Sequence, residues 1–435
     1  MHTIQQLRSG ELFDSTYIKI SENLSVFPEE LYRYSDTLEV LDLSGNALDL
    51  LPNDFIRFSN LRILFLSNNK FEILPSILGA LPNLDIIGFK ANQIKDVPEL
   101  SLPASLRWLI LTDNKIKELP RSIGLCLKLQ KVMLAGNNLH ALPIEMALCR
   151  NIELLRISAN QIQTLPMWLL SLPKLSWFAF AGNPCSFQSD ERKKITNKIS
   201  WDSITIKEQL GEGASGVIYN ATLKDSILDV AVKIFKGAVT SDGLPKDEMK
   251  ACIQAGLHCN LVPVQAIITQ HPDHKEGLVM DLIPKNYTNL GLPPSFVTCT
   301  RDTFLLDQVF TIHEIIHIAR GIAAVEIQLH EKGIMHGDLY AHNILVNSEY
   351  HALLGDFGAA TIFSVNDLNV ASCFEKMEVR AYGCLLEDLL NRVVEDSESL
   401  KEYLINLKNE CLLEEIKMRP TFTSIFEKLT IELSE

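Results

Sequence analysis

The 435-residue chain contains no run of 18 apolar residues, so no transmembrane helix is expected. Its first residues, M-H-T-I-Q-Q-L-R-S-G-E-L-F-D, lack the apolar centre of a secretory leader. A soluble, cytoplasmic protein with no membrane span is therefore expected. Positive charge is in deficit, with 40 Lys and Arg against 54 Asp and Glu, a net charge of −14. That balance argues against nucleic acid or an anionic membrane surface as a general partner. The nine cysteines are odd in number and form no C-x-x-C pair. They read as reduced, buried thiols rather than as a disulfide framework or a zinc site. What remains, 47% hydrophobic and 22% charged residues, is ordinary for a globular chain long enough for two or three domains.

The first 185 residues carry an internal repeat. Asn46, Asn69, Asn92, Asn114, Asn137, Asn160 and Asn183 are separated by 23, 23, 22, 23, 23 and 23 positions. Around each runs L-x-x-L-x-L-x-x-N-x-L with conservative swaps, as in Leu38, Leu41, Leu43, Asn46 and Leu48. The L-x-L portion predicts a short parallel strand with its leucines facing inward. The Asn would bond the backbone of the turn that follows. One such unit cannot bury its own leucines, so the units must stack into a curved solenoid. The pattern resembles the short intracellular leucine-rich repeat over about residues 15–185. Boundaries are expected at 1–37 for a cap with a degenerate repeat and at 38–185 for seven repeats. In an L-x-x-L-x-L strand, the residues flanking the fourth-position leucine face the concave side. Ile63, Phe65, Ile86, Trp108, Ile110, Met133, Leu154 and Trp177 fall in those columns and predict an apolar stripe that binds a protein ligand.

Residues 186–200 are charged and without repeat pattern, and read as a linker. From Trp201 an alternating strand runs into G-E-G-A-S-G-V at 211–217, followed by V-A-V-K at 230–233. Farther on come H-G-D-L-Y-A-H-N at 336–343, D-F-G at 356–358 and R-P-T-F at 419–422. Glycines between two strands let backbone N–H groups approach phosphate oxygens. Segments 245–256, 311–333 and 378–395 have helical periodicity.

The order and spacing of these motifs resemble a eukaryotic-type protein kinase over 201–435. The resemblance implies an α/β solenoid followed by a bilobal α+β kinase-like domain using ATP and Mg2+. It places Leu210, Gly211, Gly213, Gly216, Val217, Ala231, Lys233, Met280 and Asp281 around the nucleotide. Glu248, with Asp247 as second choice, would pair with Lys233. Asp338 would take the proton of the attacking hydroxyl, and Asn343 and Asp356 would hold the metal. The acceptor would be a protein substrate, at serine or threonine rather than tyrosine. Two other functions fit the same residues: a repeat scaffold with a weak or silent kinase domain, and a small-molecule phosphotransferase.

Several positions depart from the family. Gly337 stands where an arginine usually grips a phosphorylated activation loop, and Tyr340 and His342 stand where a charged residue is expected. No A-P-E follows the D-F-G, and only 22 positions separate Asp356 from Glu378, which takes the place of an aspartate in D-x-W-x-x-G. Arg419 thereby loses its usual A-P-E partner, for which Glu375 is the expected substitute. Thr361, Ser364 and Ser372 are the hydroxyls left in the shortened segment.

Overall fold

The computed structural model describes residues 1–187, 197–213, 215–224, 228–236, 239–394 and 397–432. They fall into two compact units. One comprises Met1–Leu172 with Asn183–Cys185, and the other Pro173–Gly182 with Ser186–Glu435. Among the described residues no helix is long and apolar enough to cross a membrane.

The first unit opens with a short helix, α1 (Ile4–Ser9), capped by Thr3 and Gln6. Seven three-residue strands follow: β1 (Tyr17–Lys19), β2 (Val40–Asp42), β3 (Ile63–Phe65), β4 (Ile86–Gly88), β5 (Trp108–Ile110), β6 (Lys131–Met133) and β7 (Leu154–Arg156). They pair parallel in chain order, with Leu41 beside Leu64, Leu64 beside Ile87 and Leu109 beside Val132. These central residues are fully buried, as the L-x-L pattern requires. The return arcs carry 3-10 turns that begin after Pro52, Pro75, Pro120 and Pro143. Proline suits those entry positions because no helix hydrogen bond is needed from its nitrogen.

The asparagines do more than close their own turns. Asn114 Nδ2 donates to the Leu111 carbonyl (3.0 Å) and to the Phe89 carbonyl of the preceding repeat (2.9 Å). Its Oδ1 accepts from Ile94 N–H at 2.9 Å. Asn69, Asn92, Asn137 and Asn160 repeat this three-way bridge. Each amide thus satisfies buried backbone groups of two consecutive repeats. Asn114→Leu should therefore destabilise the full chain by about 3 kcal/mol, since each buried group left unsatisfied costs roughly 1–3 kcal/mol. Urea titration checks this, and an unchanged midpoint would remove the ladder as a stabilising element.

The second unit takes up the strand β8 (Trp177–Ala179), which sequence spacing assigns to the seventh repeat. Its six-stranded sheet contains β9 (Lys198–Ser200), β10 (Ile204–Glu212), β11 (Gly216–Leu223), β12 (Asp229–Phe235), β13 (Val264–Thr269) and β14 (Gly277–Asp281). The order is β10-β11-β12-β14-β13-β9, antiparallel except for the β13/β9 pair. Val230, Val232, Ala266 and Val279 form part of its core. The expected linker is thus partly structured: Lys198–Ser200 pairs with Ile267–Thr269 at the sheet edge, while 188–196 lie outside the described residues.

Helix α2 (Pro245–Ala255) begins with proline in its first turn. Beyond it come β15 (Thr288–Asn289), α3 (Ile312–Glu331), β16 (Ile334–Met335), β17 (Ile344–Val346), β18 (Ala352–Leu354), β19 (Thr361–Ile362), α4 (Leu368–Leu390), α5 (Glu398–Cys411) and α6 (Phe422–Glu432). Helix α3 starts on a capping box of Thr311 and Glu314 and buries Ile312, Ile315, Ala319, Ile322 and Ala323 at helical spacing. Helix α4 starts ten residues before the predicted 378, on the Asp367 cap.

Candidate functional site

A cleft of about 670 Å³ opens between the six-stranded sheet and the segments that follow α3. That size suits a small ligand. Leu210, Gly211, Gly213, Gly216, Ala231, Lys233, Glu248, Met280, Asp281, Asn343 and Asp356 all line it. The structure does not bring Val217 there. On β11 the cleft-lining positions are Gly216, Ile218 and Asn220, so the two-residue alternation of a strand turns Val217 away.

The three glycines of the loop serve different ends. A Cβ at Gly211 or Gly213 would meet no atom within 4 Å, so the space beside them is open. A Cβ at Gly216 would lie 2.6 Å from the Ile234 carbonyl oxygen, so that glycine is set by close approach to β12. The Gly213 N–H donates to the Gly216 carbonyl at 2.9 Å and closes the loop tip.

Lys233 sits opposite Leu278 in the sheet and forms an ion pair with Glu248 of α2. Both side chains are largely buried. Burial opposes the lysine's charge, but Glu248 and Asp356 outweigh it and hold the ammonium above its ordinary pKa. Of the two acids considered from sequence, Glu248 is the one that reaches Lys233.

Asp338 is not among the residues that line the cleft, but it touches Asn343, which is. Asn343 Nδ2 donates to the Asp338 carbonyl (2.9 Å) and to Asp338 Oδ2 (2.8 Å). With its amide nitrogen so committed, the group Asn343 has left for a ligand is its side-chain oxygen. Asp356 has a left-handed backbone (φ 47°), and its Oδ1 accepts from Gly358 N–H at 3.1 Å. Carboxylate and amide oxygens are hard ligands of the kind Mg2+ prefers.

The loop carrying Asp338 is held from below. Glu378 on α4 accepts from His336 N–H (3.1 Å) and Gly337 N–H (2.6 Å). His336, fully buried, contacts the Gly355 carbonyl through Nε2 at 2.8 Å and accepts from Asp338 N–H through Nδ1. The nearby Glu326 is fully buried, and burial together with the Glu378 charge pushes its carboxyl well above the ordinary carboxylate range.

Asp302 was not anticipated from sequence. It lies in the irregular stretch before α3 and binds His342 twice, through the backbone N–H (2.9 Å) and through Nδ1 (2.7 Å). Burial disfavours the imidazolium, but the Asp302 hydrogen bond and charge prevail and raise the His342 pKa. A T-R-D-T run carries no local signal for that role.

Arg419 corrects another expectation. Its guanidinium donates to the carbonyls of Pro173 (2.6 Å), Lys376 (2.8 Å) and Leu413 (2.8 Å), whereas Glu375 accepts from Phe422 N–H. Burial and Arg380 lower the Arg419 pKa to about 10. Thr361 is fully buried, so it is not an accessible hydroxyl.

Of the eight residues expected in the apolar stripe, Ile63, Ile86, Leu154 and Trp177 are buried, and Phe65, Trp108, Ile110 and Met133 half-buried. Trp177 does not belong to an open face: its ring stacks on Tyr340 at 4.3 Å.

Residues 204–383 match the protein tyrosine and serine/threonine kinase family, and residues 37–58 and 60–81 match the leucine rich repeat. The chain joins leucine-rich repeats to a protein kinase domain. A proline-rich receptor-like protein kinase of Arabidopsis thaliana, PERK8, is 29% identical over 244 residues, 48% of this chain and 34% of that protein. The serine/threonine-protein kinase AtPK2/AtPK19 of the same plant is 25% identical over 197 residues, covering 45% and 39%. The probable serine/threonine-protein kinase gdt4 of Dictyostelium discoideum is 29% identical over 171 residues, covering 38% and 9%. The chain thus spans well under half the length of these relatives.

Proposed function

We propose that the protein transfers the terminal phosphate of Mg-ATP to a serine or threonine of a protein substrate, and that its repeats bind a protein. The observation that carries this reading is one cleft lined by Lys233 paired with Glu248, by open-faced Gly211 and Gly213, and by Asn343 and Asp356. Bound there, Mg-ATP supplies the transferable phosphate and the cation that offsets its charge.

The chain's own residues divide the work. Lys233, kept charged by Glu248, would grip the inner phosphates. Backbone N–H groups of the glycine loop would cover the outer ones. Asn343 and Asp356 would hold the metal through oxygen. Asp338, oriented by Asn343, would accept the proton of the substrate hydroxyl. The serine/threonine preference is supported by the names of two of the relatives. Nine free cysteines support a reducing, cytoplasmic setting. The test uses purified full-length protein with γ-labelled ATP, Mg2+ and a generic protein acceptor, beside Asp338→Asn. Label on serine or threonine with the native chain, and its loss in the variant, is the expected result. No label above the variant would overturn the reading and favour a scaffold.

A further inference from the structure

The segment after D-F-G is shortened and carries no A-P-E, yet the catalytic loop is not bare. Trp177 Nε1–H donates to the Leu339 carbonyl at 3.0 Å. The Trp177 ring lies 4.3 Å from that of Tyr340, with only 7° between their planes. Tyr340 in turn lies 5.0 Å from the His342 ring. Phe180 N–H donates to Thr361 Oγ1 at 3.1 Å, just beyond the D-F-G. Pro173 supplies a carbonyl to Arg419. All these residues belong to the second unit. One short stretch, 173–180, therefore meets the catalytic loop, the strand after D-F-G and the arginine that has no A-P-E partner.

We propose that this stretch takes over the supporting role of the shortened activation segment, and that Trp177 is a positioning residue for the catalytic loop. The proposal rests on the kinase reading. Asp338 lies between Gly337, whose N–H is tied to Glu378, and Leu339, whose carbonyl is tied to Trp177. Holding the backbone on both sides fixes where the Asp338 carboxylate points, which is the kind of support a catalytic group needs from its surroundings. Because strand β8 is part of the chain itself, this support needs no phosphorylated hydroxyl. A loop held this way has no use for an arginine at 337.

The test compares full-length native protein with Trp177→Ala and Trp177→Phe. Phenylalanine keeps a ring for Tyr340 but removes the N–H. Three quantities are read: kcat, KM for ATP, and amide hydrogen exchange across 336–343. Trp177→Ala should lower kcat by about tenfold or more, leave KM for ATP within about twofold, and speed exchange of 336–343, with Trp177→Phe between it and the native chain. A general loss of structure would instead raise exchange throughout the second unit and move KM as well. Unchanged kcat and exchange overturn the proposal, as does a raised kcat, which would make the strand a restraint. If Trp177→Ala does not fold, Trp177→Phe decides by the same measurements. If the native chain transfers no phosphate, the kinase reading fails on its own, and exchange at 336–343 still decides the positioning role.

Discussion

Lys233→Met should lower phosphate transfer by roughly 10²–10³-fold, the usual cost of removing one preorganised charge from a transferring group. It should also destabilise the fold, because Glu248 would be left buried and 3% exposed without its partner. Breaking a buried ion pair on one side costs about 3–5 kcal/mol. A second change separates the two effects. Glu248→Gln in the Lys233→Met background removes the stranded charge, so thermal stability should recover while transfer stays lost. Near-native transfer by Lys233→Met would mean that the cleft does not hold nucleotide phosphates in the proposed way. Failure of the double variant to recover stability would mean that the pair's burial is not what makes the single change costly.

The parts of this molecule that were legible in its sequence are those whose determinants are local. The asparagine period announced the repeat strands because each repeat carries its own leucines and its own amide. That the amide also ties down the preceding repeat, as Asn114 does at Phe89, follows only once the strands are stacked. The cleft was legible because glycine loop, strand lysine and D-F-G are each short motifs. Val217 was misplaced by one step of strand alternation, which a motif ignores. What escaped were pairings across long stretches of chain. W-F-A at 177–179 has the same pattern as the other repeat strands, and its hydrogen-bond partner Leu339 lies 162 positions away. Asp302 reaches His342 across 40 positions from a stretch without periodicity. Arg419 found backbone carbonyls rather than a carboxylate, and no sequence rule ranks those.

Restoring the family's arginine should harm this protein rather than improve it. Gly337 adopts φ +73°, a left-handed conformation, and an added Cβ would lie 2.5 Å from the Phe178 carbonyl oxygen and 2.9 Å from that of Ala359. Both obstacles are backbone, so neither can rotate away. The conformational strain alone costs on the order of 1–3 kcal/mol for a non-glycine residue held in such a region, and the contact adds to it. Gly337→Arg and Gly337→Ala should therefore both lower the unfolding midpoint and reduce transfer by more than about tenfold, the alanine showing that the Cβ rather than the charge is at fault. The chain has filled with Phe178 the space into which the first atom of any side chain would go. An arginine variant with native stability and equal or higher activity would show that the Phe178 backbone yields at little cost, and that glycine at 337 is not required by what packs against it.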